Sequence, residues 1–168
     1  MENNDKPLGF TDIPKKLMTF RVQGQRLAVS INRIKDVMRM VPIEKLEGAP
    51  HYCEGTIELR GSRLPVIDLR KRFFLDIQEW SKSTRLLVVK VQSRLVGMIV
   101  DSVDEMFKPE NQELGELPEN YEAIDPMFVQ AVLERDDERI ILLNLVSVTE
   151  ETPRMSREAE DTTSGDLI

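Results

Sequence analysis

His51 and Cys53 are the only histidine and the only cysteine of the chain, and Tyr52 alone separates them. Two residues apart on an extended strand, their side chains point to the same side. A thiolate held against an imidazole needs that arrangement. The same H-Y-C stretch offers two metal ligands. The sequence completes neither chemistry, because no further ligands, no orienting group and no Gly-rich oxyanion loop stand nearby. A loop residue and a small strand-edge residue account for the pair.

Asp68 and Asp101 are the next candidates, each closing an apolar run, L-P-V-I-D and G-M-I-V-D, as a pair of acid–base carboxylates would have to be held. Their contexts, D-L-R and D-S-V, lack the D-[ST]-G turn of an aspartic dyad. Both fit better as strand ends that cap a following turn or helix through its backbone N–H groups. No G-x-x-x-x-G-K-[ST] or G-x-G-x-x-G cradle for phosphate is present. A net charge of −7 with 5% aromatic residues excludes the basic, aromatic-lined groove of a nucleic-acid binder. It equally disfavours a polybasic anchor to a membrane surface. The expectation is a non-enzymatic binding protein without metal or cofactor; a hydrolase built on Asp68, Asp101 or Cys53 is the contrasting reading.

The elements that position these residues read mostly as strands. MTFRV, RLAVSI, GTIEL, RLPVID, RLLVVKV, RLVGMIV, FVQAVL and RIILLNL are short, rich in β-branched residues or leucine, and bounded by polar or Gly-containing breaks. NRIKDVMRM (32–40) fits either a helical turn or a further strand, and LRKRFFL (69–75) a short helix. Residues 1–16 read as a flexible N-terminal tail. Residues 149–168 read as an acidic C-terminal tail or a short helix through MSREAE. The start, MENNDKPLGF, has no apolar leader, and the uncharged run IILLNLVSVT is about half the length of a membrane span. A lone cysteine suits a reducing compartment, so a cytoplasmic protein with no direct membrane insertion is expected.

An internal repeat organises the strands. RLAVSINRIKDVMRM (26–40) lies on LVGMIVDSVDEMFKP (95–109), so that Ile31, Ile34 and Val37 fall on Val100, Val103 and Met106, Asn32 on Asp101 and Asp36 on Glu105. RLPVIDL (63–69) lies on RIILLNL (139–145), which places Asp68 on Asn144, while the Leu59-Arg60-Gly61 corner matches Leu133-Glu134-Arg135 only loosely. Two similar units imply two small β-barrels side by side about a pseudo-two-fold axis, with a boundary near 80–95. The spacing of three between Ile31, Ile34 and Val37 is too coarse for strand alternation and indicates a bend. If the two stripes line the seam between units, their rim forms an apolar groove suited to a partner helix. Arg60 beside Gly61 reads either as a solvated hairpin charge or as the partner of Asp36 on a docking face.

Taken together, G-T-I-E-L-R-G-S-R-L-P-V-I-D-L-R-K-R-F and the strands around it resemble the CheW-like coupling proteins of bacterial chemotaxis over about residues 17–148. The resemblance implies a mainly β fold of two SH3-like five-stranded β-barrels with short helices. It also implies an adaptor that joins chemoreceptor cytoplasmic tip helices to the regulatory domain of a CheA-type histidine kinase, recruited to membrane-associated receptor arrays. An accessory relative that competes for the kinase or receptor is the alternative. Carried over by position, Ile31, Ile34, Val37, Val100 and Val103 fall on the receptor-binding groove. Gly55, Arg60 and Gly61 fall on the docking hairpin, and Asp36 on the acidic position that faces its arginine. The chain departs from the family at Glu58, where Asn is usual, at Phe74 and in FVQAV, where Gly is common, and in the acidic connection before Pro126.

Overall fold

The computed structural model describes residues 13–155; residues 1–12 and 156–168, on which the expected helix through MSREAE mostly falls, lie outside the described residues. Among the described residues eleven strands form: β1 (Leu17–Val22), β2 (Gln25–Ser30), β3 (Ile34–Arg39), β4 (Cys53–Leu59), β5 (Ser62–Asp68), β6 (Arg85–Val91), β7 (Arg94–Val100), β8 (Ser102–Phe107), β9 (Leu114–Gly115), β10 (Val129–Arg135) and β11 (Glu138–Leu143). Two single-turn helices, α1 (Leu69–Arg72) and α2 (Leu145–Val148), follow β5 and β11. The segment 32–40 resolves into the end of a 3-10 turn and strand β3. The β8 strand is absent from the eight runs read in the sequence. Its Asp104, Glu105 and Met106 are exposed, so its composition is that of a loop.

Four hairpins turn on two residues each: Gln23-Gly24, Arg60-Gly61, Gln92-Ser93 and Asp136-Asp137. All eight of these residues have positive φ, which matches the right-handed twist of the strands they join. The Arg60-Gly61 corner therefore corresponds to Asp136-Asp137, two residues beyond the match that the sequence alone offers.

The strands make a six-stranded sheet in the order β8-β1-β2-β11-β10-β9 and a five-stranded sheet in the order β3-β6-β7-β5-β4. Exchanging β1, β2, β3, β4 and β5 for β6, β7, β8, β10 and β11 converts one order into the other, β9 aside, so the repeat is real at the level of topology. The two SH3-like five-stranded barrels are not. Neither sheet closes, and each takes strands from both halves of the chain. Parallel seams, β2 against β11 and β5 against β7, join hairpins from opposite repeats. Alternation in a sequence reports which face a residue occupies, not which strand its backbone pairs with, and barrel closure depends on the latter.

The five-stranded sheet curls until the segment that follows β3 meets the opposite edge strand β4, where a single bridge joins them: Glu44 N–H donates to the Thr56 carbonyl at 2.9 Å and Thr56 N–H to the Glu44 carbonyl at 2.8 Å. This curl explains why strands such as β6 are apolar on both faces. Leu87 and Val89 join a large core shared by the two sheets, with Phe20, Leu27, Met98 and Val100. Leu86 and Val88 instead join a smaller cluster with Ile57, Leu64 and Val66 inside the five-stranded sheet. The six-stranded sheet encloses its own cluster around Leu17, Phe107, Leu133 and Ile140.

The bridge dictates Gly55. Its φ is +143°, and a Cβ there would lie 2.0 Å from the Glu44 carbonyl oxygen, a backbone atom held by the bridge itself. Gly61, at φ +81°, has open space around it. Urea unfolding is expected to show Gly55→Ala losing on the order of 3 kcal/mol, against about 1 kcal/mol for Gly61→Ala. Equal losses would mean that the bridge does not control this edge.

Candidate functional site

The site begins with irregularities in two edge strands. In β3, Ile34 stands opposite Val89 and Asp36 opposite Val88, so Lys35 is an extra residue. After that bulge Val37 stands opposite Leu87, which returns it to the face of Ile34, the face of the shared core. A corresponding bulge in β8 sets Val103 opposite Phe20 and Met106 opposite Met18. The spacing of three seen in the sequence is thus a bulge in each strand, and it keeps two apolar residues per edge on one face.

These residues rim the shared core. Ile34 and Val103 are half-buried against it, Ile31 is half-buried in the 3-10 turn Ile31–Arg33, Val37 is 39% exposed and Met106 50% exposed. Val100 is fully buried, so it supports this surface from beneath. Met18, half-buried against the same core, belongs with them. Sequence reasoning passed over it, although M-T-F-R-V alternation places it on the face of Phe20 and Val22. Because β3 and β8 are edge strands of their sheets, no further strand covers this rim within the described chain.

The second part lies where the five-stranded sheet curls shut. Arg60, on the hairpin between β4 and β5, donates from Nη2 to Asp36 Oδ2 of β3 at 3.1 Å. Asp36 Oδ1 also accepts from the Val37 N–H at 2.9 Å. Arg60 is 72% exposed in its side chain and Asp36 26%, so the pair contributes about 0–1 kcal/mol and acts through position rather than stability. It ties together opposite edges of one sheet. Arg63 repeats the pattern lower down, reaching Glu44 Oε1 at 2.9 Å and Thr56 Oγ1 at 2.8 Å. Gly55 and Gly61 therefore belong to this closure, the first through the bridge and the second through the turn.

The residues weighed for catalysis are engaged elsewhere. Asp68 caps α1, accepting from the Arg70 N–H at 2.9 Å, as Asn144 caps α2 through the Ser147 N–H at 3.2 Å. Asp101 does not cap its own following turn. It accepts from the Gln23 N–H at 2.7 Å and from Arg70 Nε and Nη2 at 3.0 and 2.7 Å, a bidentate pair. Cys53 makes only a long contact from Sγ to the Gly55 carbonyl at 3.7 Å, and burial pushes its thiol away from the thiolate. The His51 ring packs against Tyr52 and Phe74. Among the described residues no group of three or more His, Cys, Asp or Glu is placed to hold a metal.

The family model described as a CheW-like domain matches residues 16–152. The chain is 30% identical over 145 residues to the chemotaxis protein CheW of Rhizobium meliloti, covering 86% of this chain and 92% of that protein. To the chemotaxis protein CheW of Bacillus subtilis it is 28% identical over 132 residues, covering 79% and 83%. The crystal structure of the scaffolding protein TtCheW from Thermoanaerobacter tengcongensis matches with a TM-score of 0.75 at 33% identity, covering 82% of this chain and 94% of that one.

Burial raises the pKa of Asp68 even though the Arg70 N–H opposes the shift. The folded chain therefore holds that proton more tightly than the unfolded chain. Its stability falls as pH rises from the unfolded value of about 3.9 through the raised folded one. Asp68→Asn keeps a cap of the kind Asn144 provides and removes the loss. Chemical denaturation at pH 7 is expected to find this variant at least as stable as the parent, converging with it at low pH. Asp68→Ala, without a cap, is expected to lose about 1 kcal/mol. A neutral-pH loss in Asp68→Asn equal to that of Asp68→Ala would show that the charge, not the cap, matters here.

Proposed function

The chain belongs to the CheW-like domain family, and on that premise we propose that it is a non-enzymatic adaptor coupling chemoreceptors to a CheA-type histidine kinase. The observation that carries the reading is the pair of bulged edge strands, β3 and β8. They leave Ile34, Val37, Val103 and Met106 uncovered along the rim of a single core. An apolar rim between two sheets suits an amphipathic helix laid into it, read through residues three and four apart. Chemoreceptor cytoplasmic tip helices are the proposed occupant, contacting Ile31, Ile34, Val37 and Val103 above Val100.

The kinase's regulatory domain is proposed to dock on the neighbouring hairpin. Arg60 and Asp36 shape that face, with Gly55 and Gly61 allowing the close approach and the tight turn. Two surfaces on opposite sides of β3 give one small protein two partners. No helix among the described residues is long and apolar enough to cross a membrane. Recruitment to the membrane is accordingly proposed to come through the receptors.

Binding of each partner should respond to a different substitution. Arg60→Glu leaves the circular dichroism spectrum unchanged and weakens binding of the kinase regulatory domain at least ten-fold, because it also repels Asp36. Arg60→Ala loses about five-fold or less, the scale of an exposed pair. Val37→Lys weakens binding of a receptor cytoplasmic fragment and spares the kinase domain. Calorimetric titration checks all three, and undiminished kinase binding by Arg60→Glu would overturn the hairpin assignment.

A further inference from the structure

A second recess has no place in the adaptor reading. It is a cleft of about 490 Å³ between the 3-10 turn after β2, the β6–β7 turn and the start of α2. None of Ile31, Ile34, Val37, Val100 and Val103 lines it.

The internal repeat shows what this cleft is. The hairpin registers run in step, Cys53 opposite Ile67 and Val129 opposite Leu143, with a bulge at the same place in each. They make Glu54 the counterpart of Gln130, Asp68 of Asn144 and Arg70 of Val146. The bulged edges likewise make Asp101 the counterpart of Asn32, and the turns make Gln23 the counterpart of Gln92. In the first repeat the equivalent space is occupied by Arg70. Its guanidinium is fixed by Asp101, by Gln23 Oε1 at 3.2 Å and by the Asp76 carbonyl at 2.6 Å. In the second repeat Val146 stands where Arg70 would be, is 48% exposed, and leaves the space open.

The change of charge is systematic. At Glu54, Asp68 and Asp101 the second repeat carries amides in place of carboxylates, Gln130, Asn144 and Asn32. Arg33, which has Ser102 as its counterpart, brings the only charge among the described residues that line the cleft. Among the described residues the side chains of Asn32, Arg33, Gln92 and Gln130 have no hydrogen-bond partner. The floor is apolar, with Val91 and Leu143 buried in the shared core. A lone guanidinium and three free amides over an apolar floor complement a carboxylate carried next to an aliphatic group.

We infer that this cleft is a recognition site for an acidic segment of a partner protein. Arg33 takes the Asp or Glu carboxylate, Asn32, Gln92 and Gln130 donate from their amide N–H groups, and a neighbouring aliphatic side chain lies on the floor. The first repeat fills the site with its own arginine, and the second keeps it free for a partner of opposite charge.

The probe is the acetylated, amidated tripeptide Leu-Glu-Leu, titrated into the full chain and followed through the side-chain amide resonances of Asn32, Gln92 and Gln130. Saturable shifts of these resonances are expected, with Leu-Gln-Leu and Leu-Lys-Leu binding at least ten-fold more weakly. Arg33→Gln is expected to reduce affinity for Leu-Glu-Leu about ten-fold. The double variant Asn32→Asp with Val146→Arg rebuilds the ion pair of the first repeat, so it should stay folded and lose binding altogether. Absence of shifts, equal binding of Leu-Gln-Leu, or binding by Arg33→Gln at the parent's level would each overturn the inference. The last two readouts do not depend on whether the double variant folds. Kinase and receptor binding by Arg33→Gln, expected to be unchanged, separates failure here from failure of the adaptor reading.

Discussion

Two parallel seams, β2 against β11 and β5 against β7, govern the rest of the molecule. Each joins a hairpin of one repeat to a hairpin of the other, so neither repeat can complete its sheet alone. The third strand of each repeat, β3 or β8, then has to leave its own hairpin and attach to the partner's first strand. The exchange places both third strands at sheet edges and puts one shared core between the sheets. An apolar rim flanked by two edge strands follows from that connectivity, and so does the proximity of Asp36 to Arg60. The edges of a curled sheet meet only because β3 has crossed over.

Charge separates what the repeat makes similar. At the hairpin tips the first repeat carries Arg60-Gly61 and the second Asp136-Asp137, on turns of the same backbone class. Inside the molecule the first repeat holds Arg70 against Asp101, while the second places Val146 and Asn32 at the corresponding positions. Each difference leaves the backbone alone and alters what can bind. An adaptor that has to tell partners apart gains that ability most simply by keeping one fold twice and charging its copies differently.

Much of this was legible in the residues. Eight strands, the α1 turn, the repeat and the capping role of Asp68 follow from alternation, β-branched runs and the match of Asp68 to Asn144. The spacing of three between Ile31, Ile34 and Val37 carried the bulge, since strict alternation forbids it. Other features had no local signature. The edge strand β8 is acidic on its exposed face and reads as a loop. Closure of the sheets depends on hydrogen-bond partners far apart in the chain, which is why two closed barrels were expected and two open, curled sheets are found. Asp101 was expected to cap its own turn, but Arg70 and Gln23 come to it across 31 and 78 positions. The Arg60-Gly61 corner aligns with Asp136-Asp137 only through the strand register, because the residue types there share nothing.

The central claim is that two separate faces of one chain bridge two partners. It is tested by sedimenting membrane-bound receptor cytoplasmic fragments with a CheA-type kinase at fixed amounts while the concentration of this chain rises. Bridging predicts that kinase in the pellet first increases from a low baseline. It then falls when the chain exceeds both partners, because each is separately saturated. A monotonic loss of kinase from the pellet, or no change at any concentration, would contradict the account.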